Sequence, residues 1–274
     1  MAAIVYENMS NDEYHDNKGS ISRSGIVEFM ESPFRYFKSR FDPEHRVNEQ
    51  TRAMIFGSAF HVFVLERHLF DDQYVVKPDP VLLKNVGREK YDAYKAQCET
   101  IENSDRIVIT AEEYRTLVGM RNAVKEHPEA SALIEDGLYE HSIFWDDART
   151  GLKLKTRPDV WHGNMTVDLK TISSADPRTF QNAMAQHGYH LQSAMNREGI
   201  NAATGEDIKK HVFVCVEKSL PFLVAVYILD ETALDSAHNT LRRVLPSMKF
   251  CAETNQWPGY ETQTIGLPAW AENL

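Results

Sequence analysis

Residues 151–173 read GLKLKTRPDVWHGNMTVDLKTIS and contain Asp159, Asp168 and Lys170. Side chains at i and i+2 of a strand share a face, so Asp168 and Lys170 project together while Leu169 turns to the core. A hairpin-like arrangement brings Asp159, at the end of one strand, within coordination distance of Asp168. Two converging carboxylates make a hard, oxygen-lined site suited to Mg²⁺, with Mn²⁺ as a substitute. A lysine beside them can counter charge on a phosphate, or orient and deprotonate an attacking water. Such a trio serves phosphodiester hydrolysis. The same Asp-x-Lys spacing also describes a solvated strand edge or a cross-strand ion pair.

Three further positions carry polar chemistry. His61 sits in AFHVFVLE, an apolar helical stretch where a histidine is either a ligand or a core residue with one hydrogen bond. Gln192 falls on a half-buried helix, either beside the site or as a plain polar position. Ser22, Arg23 and Ser24 open a helix, whose free N–H groups and dipole favour an anion such as a phosphate. Two serines there also serve as simple N-caps.

The elements that must position these residues follow from periodicity. Residues 22–41 have Ile26, Phe29, Met30 and Phe34 at helical spacing, with Pro33 as a break that allows two short helices. Helices are also predicted over 51–66, 84–100 and 111–126, the last with Thr110 and Glu113 as a capping box. The period then changes to strands over 138–146, 152–161 and 165–170, with turns near 147–151 and 162–164. Helices over 177–186 and 189–199, strands over 211–216 and 222–229, and a long helix over 230–251 complete the order. An extended tail holds Pro258 and Pro268. This order predicts one α/β domain over 1–274, with a central mixed β-sheet flanked by α-helices.

Composition agrees with a globular chain. Of 274 residues, 42% are apolar and 10% aromatic, enough for one substantial core. No apolar run approaches the ~18–20 residues of a membrane span, and the N-terminal stretch lacks the pattern of a secretory signal. Cys98, Cys215 and Cys251 are far apart and form no CxxC, which suits a reducing cytoplasm and argues against a zinc knuckle. Thirty Lys+Arg against forty Asp+Glu leave a net charge of −10, which at first speaks against a nucleic-acid partner. The charge is unevenly placed. Residues 149–170 carry +3, and the remainder therefore −13. Lys153, Lys155 and Arg157 alternate onto one face of the strand leading to Asp159, which predicts a local basic track for DNA.

Arg157-Pro158-Asp159 followed by Val167-Asp168-Leu169-Lys170 resembles the PD-(D/E)xK nuclease signature. The resemblance extends to the nuclease domains of the RecE (exonuclease VIII) family and, more distantly, to lambda-exonuclease-like enzymes, a restriction-endonuclease-like core. It is carried in order by Ile21-Ser22-Arg23-Ser24, Gly57-Ser58-Ala59-Phe60-His61 with Leu65-Glu66, residues 108–113, Tyr189-His190-Leu191-Gln192, and Glu253 to Trp257-Pro258. These landmarks span nearly the whole chain.

The resemblance implies that His61, Asp159 and Asp168, with the backbone carbonyl of Leu169, hold the metal, and that Lys170 is the catalytic lysine. It matches Gln192 to the glutamine of a QxxxY element, although Asn196 stands where the family has tyrosine and Tyr189 is the available stand-in. It places Ser24, with Ser22 and Arg23 or Lys18, at the 5′-phosphate of a DNA end. The expected function is a Mg²⁺-dependent 5′→3′ exonuclease on double-stranded DNA ends, of phage or prophage origin. It would leave 3′ overhangs for a RecT-like annealing recombinase and act as a homo-oligomeric ring, trimer or tetramer. The alternatives are a structure-specific endonuclease of the same fold and a non-catalytic DNA-end or recombinase-binding module.

Overall fold

The structure, a computed structural model, describes residues 3–42, 44, 50–80 and 87–268. The first elements are β1 (Ile4–Tyr6), α1 (Asn11–Asp16), α2 (Arg23–Glu31), α3 (Pro33–Phe41), α4 (Arg52–Leu65), α5 (Arg67–Gln73), β2 (Tyr74–Lys77) and α6 (Arg88–Glu102). Next come β3 (Ile107–Thr110), α7 (Ala111–Glu126), α8 (Pro128–Ile134), β4 (Leu138–Tyr139), β5 (Ser142–Asp146), β6 (Lys153–Thr156) and β7 (Val160–His162). The chain ends with β8 (Met165–Ile172), α9 (Pro177–Gln186), α10 (Leu191–Thr204), β9 (Lys210–Glu217), β10 (Val224–Ile228) and α11 (Glu231–Thr254).

The expected mixed sheet is present, with strand order β10-β9-β8-β7-β4. Only β8 and β9 run parallel in it. Two smaller sheets, β1-β5-β6 and the parallel pair β2-β3, were not legible from periodicity. β5 and β6 fall within the strands predicted over 138–146 and 152–161, whereas β1, β2 and β3 are only three or four residues long, too short to show an alternation.

Helix boundaries follow their caps. Pro33 divides the predicted 22–41 helix: Ser32 closes α2 through its N–H to the Glu28 carbonyl, and its Oγ accepts the Arg35 N–H at 3.3 Å to open α3. Thr110 and Glu113 form the predicted capping box at α7, with distances of 3.1 and 2.7 Å. The start of the predicted 84–100 helix lies partly outside the described residues; α6 is seen from Arg88. Tyr189 and His190 belong to the turn before α10, which ends on Gly205 in the left-handed region (φ +78°). Among the described residues, no helix is long and apolar enough to cross a membrane.

The two faces of β8 do different work. Val167 and Leu169 join Phe60 and Phe63 of α4, Leu117 and Met120 of α7, and Val212, Val214 and Val216 of β9 in one buried cluster. Burying each such large side chain stabilises by roughly 1.5–3 kcal/mol. Thr166, Asp168 and Lys170 take the other face, in register with His211, Phe213 and Cys215. The alternation expected for Asp168, Leu169 and Lys170 therefore holds.

The strands expected over 138–146 and 152–161 are each broken in the middle. They remain one antiparallel ribbon: Tyr139 pairs with Val160 on one side of the break and Ile143 with Thr156 on the other. The first half joins the five-stranded sheet and the second the three-stranded one. Two local features make the bend. Pro158 has no N–H for a ladder bond, and Glu140 stands at φ +51°, in the left-handed region uncommon for a residue with a side chain. The ribbon thus turns a corner between the sheets at residues 140–142 and 157–159.

Candidate active site

That corner brings together three potential ligands. Glu140 and Asp159 face each other across the bend, where the Glu140 N–H donates to the Asp159 carbonyl at 3.2 Å. His61 reaches the same point from α4, with its Nδ1 3.5 Å from Asp159 Oδ2 and 3.8 Å from Glu140 Oε1. One atom from each residue falls within 4.8 Å of the others. Asp159 is further aimed by the Leu169 N–H, which donates to its Oδ2 at 2.6 Å just past the end of the β7–β8 ladder. It is the Leu169 amide that is seen engaged here.

Asp168 lies beside this cluster but is not one of the three. It is buried and forms an ion pair with Lys170. The Lys170 ammonium also stands 5.1 Å over the Tyr189 ring, and the Arg23 guanidinium lies 5.7 Å from the same ring. Arg23 is held by donation to the His187 carbonyl at 2.9 Å. The first turn of α2 therefore meets the Asp168–Lys170 pair through one aromatic side chain.

Burial and charge oppose each other throughout. Burial alone would push the His61 imidazole down, yet the carboxylates of Asp159 and Glu140 hold it up at about 9. Burial pushes Asp159 up to about 7, against the attraction of His61, and Asp168 adds to the rise. Burial would also raise Asp168, but the Lys170 ammonium holds it below the usual carboxylate range. Lys170 is in turn kept above its ordinary value by Asp168 and Asp159 despite burial. A proton thus occupies the His61–Asp159 pair near neutrality, where a divalent cation would satisfy the same lone pairs. One imidazole nitrogen and two carboxylates, open to water, form a donor set that fits such a cation.

The cleft above the corner has a volume of about 810 Å³ and includes Ser22, Arg23, Ser24, His61, Glu140, Asp159 and Gln192 in its lining. Ser22 makes no side-chain cap; its hydroxyl lies 2.9 Å from that of Ser24, so α2 opens toward the cleft with its first N–H groups uncapped by side chains. Gln192 donates to Thr156 Oγ1 at 3.0 Å and to Asn196 Oδ1 at 2.9 Å. Asn196 is fully buried and also accepts from Thr156. Gln192 thus borders the cleft while its amide is engaged by Thr156 and Asn196.

The predicted basic track needs correction. Lys155 is buried, and its ammonium donates to the carbonyls of Tyr14 and Asn17. Burial, reinforced by Arg40 and Lys18, pushes it down to about 8. Arg157 donates to Ser142 Oγ at 2.7 Å and to the carbonyls of Met9 and Ser10 at 3.0 and 3.2 Å. Alternation alone could not distinguish a solvated face from one covered by a segment 140 residues earlier. Only Lys153 of the three is exposed.

Glu140 was missed for a related reason. In Leu-Tyr-Glu-His-Ser-Ile it looks like the polar phase of a strand. The usable signal was Pro158 on the partner strand, which has no N–H for the ladder one position from Glu140.

The model of a family described as a PDDEXK-like domain of unknown function (DUF3799) matches residues 22–265. No curated protein matches the chain. The crystal structure of a "Putative exonuclease" from Eubacterium rectale is 14% identical, with 97% of this chain and 99% of that chain covered and a TM-score of 0.61. At that identity the likeness speaks to the fold alone. The crystal structure of SSO0001 is 16% identical over 71% of this chain and 88% of that one, and its TM-score of 0.28 carries no argument.

Proposed function

The chain belongs to the PDDEXK-like family DUF3799, and from that premise we propose that it is a metal-dependent exonuclease acting 5′→3′ on the ends of double-stranded DNA. The observation that carries the reading is the convergence of His61, Glu140 and Asp159 next to the Asp168–Lys170 pair. The description of the Eubacterium rectale structure supports it.

His61, Glu140 and Asp159 would hold Mg²⁺ or Mn²⁺, which when bound polarises the scissile phosphate and lowers the pKa of water. Asp168 keeps Lys170 charged beside Asp159, where the ammonium would counter charge developing on the phosphate. The first turn of α2, with Ser22, Arg23 and Ser24, offers N–H groups, hydroxyls and a cation to a terminal 5′-phosphate. Tyr189 keeps Arg23 and Lys170 on one platform. The product would be a 3′ single-stranded overhang, fit for an annealing recombinase, and a ring of identical chains would retain the DNA.

The test compares 5′-end-labelled linear duplex with covalently closed circles, with and without EDTA. Early release of labelled mononucleotide from linear DNA alone, abolished by EDTA, is expected. Cutting of circles would replace this reading with an endonuclease. Binding of ends without hydrolysis in Mg²⁺ or Mn²⁺ would replace it with a non-catalytic module.

A further inference from the structure

The N-terminal segment is tied to the residue preceding Pro158-Asp159 by more interactions than its three-residue strand requires. Arg157 makes a fork: its Nη2 donates to the carbonyls of Met9 and Ser10 at 3.0 and 3.2 Å, and its Nε donates to Ser142 Oγ at 2.7 Å. Its guanidinium lies 4.3 Å from the Tyr14 ring centroid, with Lys155 at 4.4 Å from the same ring. Tyr14 is buried and also packs edge-on against Phe144 of β5. A capping box orders the short helix that carries Tyr14: the Ser10 N–H donates to Glu13 Oε2 at 2.9 Å, and the Glu13 N–H to Ser10 Oγ at 3.2 Å. Ser142 and Arg157 flank the ribbon's corner, two residues from Glu140 and Asp159. The corner carries a left-handed Glu140 and lacks a ladder bond at Pro158, so across it the ribbon itself contributes the Glu140 N–H to Asp159 carbonyl bond and leaves the rest to neighbouring segments.

We propose that segment 9–17, gripping Arg157 through Tyr14 and the carbonyls of Met9 and Ser10, is a brace that holds Glu140 and Asp159 in cation-binding geometry. The inference rests on the metal site proposed above. Arg157 is here a positioning residue. Arg157 also borders the cleft, but its Nε and Nη2 donors are taken up by Ser142 and by the Met9 and Ser10 carbonyls, which assigns its work to the corner. Partners that orient ligands from outside the coordination shell typically alter metal affinity about 10–100-fold when removed.

The experiment is Mn²⁺ calorimetry on the full chain, with thermal unfolding and single-stranded DNA affinity measured without metal as companions. Arg157→Gln is expected to weaken Mn²⁺ binding about 10–100-fold and to leave metal-free DNA affinity unchanged. Arg157→Lys, a point charge without the fork, should fall between it and the parent chain. Glu13→Gly loosens the helix from an exposed position outside the cleft, and it is expected to cost several-fold in Mn²⁺ affinity even where Arg157 variants fail to fold. Mn²⁺ affinity within twofold of the parent in folded Arg157→Gln, or in Glu13→Gly if the former does not fold, overturns the brace and leaves the metal site standing. A loss of metal-free DNA affinity in Arg157→Gln would overturn it in favour of a phosphate contact. A parent chain that takes up no Mn²⁺ removes the metal site and the brace together.

Discussion

The Glu140 N–H donates to the Asp159 carbonyl at 3.2 Å, and the side chains of the same two residues approach His61 from one side. A single backbone contact therefore links the ribbon's two strands at the corner, beside the two carboxylates. The position is strained where the candidate ligands meet. Glu140 is held at φ +51° by the surrounding pairing, while Asp159 follows a proline that interrupts the ladder. Such strain persists only where neighbours over-determine it.

Glu140→Gln tests the assignment that sequence reading did not make. The amide keeps the side chain's shape but lacks the charge that a hard cation seeks. Mn²⁺ affinity is expected to fall by at least about tenfold, on the order of 1.4 kcal/mol, with little change in unfolding temperature. Asp159→Asn should go further and remove the calorimetric response. A Glu140→Gln titration that superimposes on the parent would take this residue out of the site.

Lys170→Ala should lower the rate of duplex digestion by about 10²–10⁴-fold, the usual worth of a positioned proton-transfer or charge-stabilising group. It also strips the buried Asp168 of its cation, so some stability is lost. The double variant with Asp168→Asn separates the effects: it should regain stability without regaining activity. Undiminished digestion by Lys170→Ala would exclude the mechanism.

The protonation of His61 and Asp159 gives a signed pH dependence. Burial lowers and carboxylates raise His61, to about 9, while burial holds Asp159 up at about 7. Both must shed protons to bind a cation, so affinity rises with pH across about 7–9 and levels off above. Calorimetry in two buffers of different ionisation enthalpy should show proton release on Mn²⁺ binding at pH 7, shrinking toward pH 9. Release that is absent at pH 7 would place the ion elsewhere.

Much of this was legible before the structure. The Asp168-x-Lys170 face, the helix with His61, the capping box at Thr110 and the break at Pro33 all rest on local periodicity or local hydrogen bonds, and all appear. What escaped depends on contacts far apart in sequence. Segment 9–17 covers Lys155 and Arg157 from about 140 residues away, and no pattern within residues 149–170 records that cover. The corner at Glu140 and Asp159 arises because two halves of one ribbon join different sheets. A strand pattern has no symbol for that event beyond the proline. Asp168 is expected to share a cation with Asp159; in the structure it is buried and paired with Lys170, a contact two residues apart that the spacing does allow for.

The reassignment of Lys155 carries its own consequence for DNA binding. A cation in contact with phosphate contributes about one unit to the slope of log affinity against log salt. Lys155 donates to two carbonyls inside the protein, so Lys155→Met should leave that slope unchanged. It should instead orphan the Tyr14 and Asn17 carbonyls, at a cost of about 1–3 kcal/mol, seen as a fall in Tm of about 2–4 °C per kcal/mol. Arg23→Ala, at the cleft mouth, should do the reverse, reducing the slope by about one and removing preference for a 5′-phosphorylated end while Tm barely moves. Fluorescence anisotropy across a salt series, with melts on the same samples, separates the two. If Lys155→Met flattens the slope, the lysine faces DNA and the brace around it is drawn wrongly.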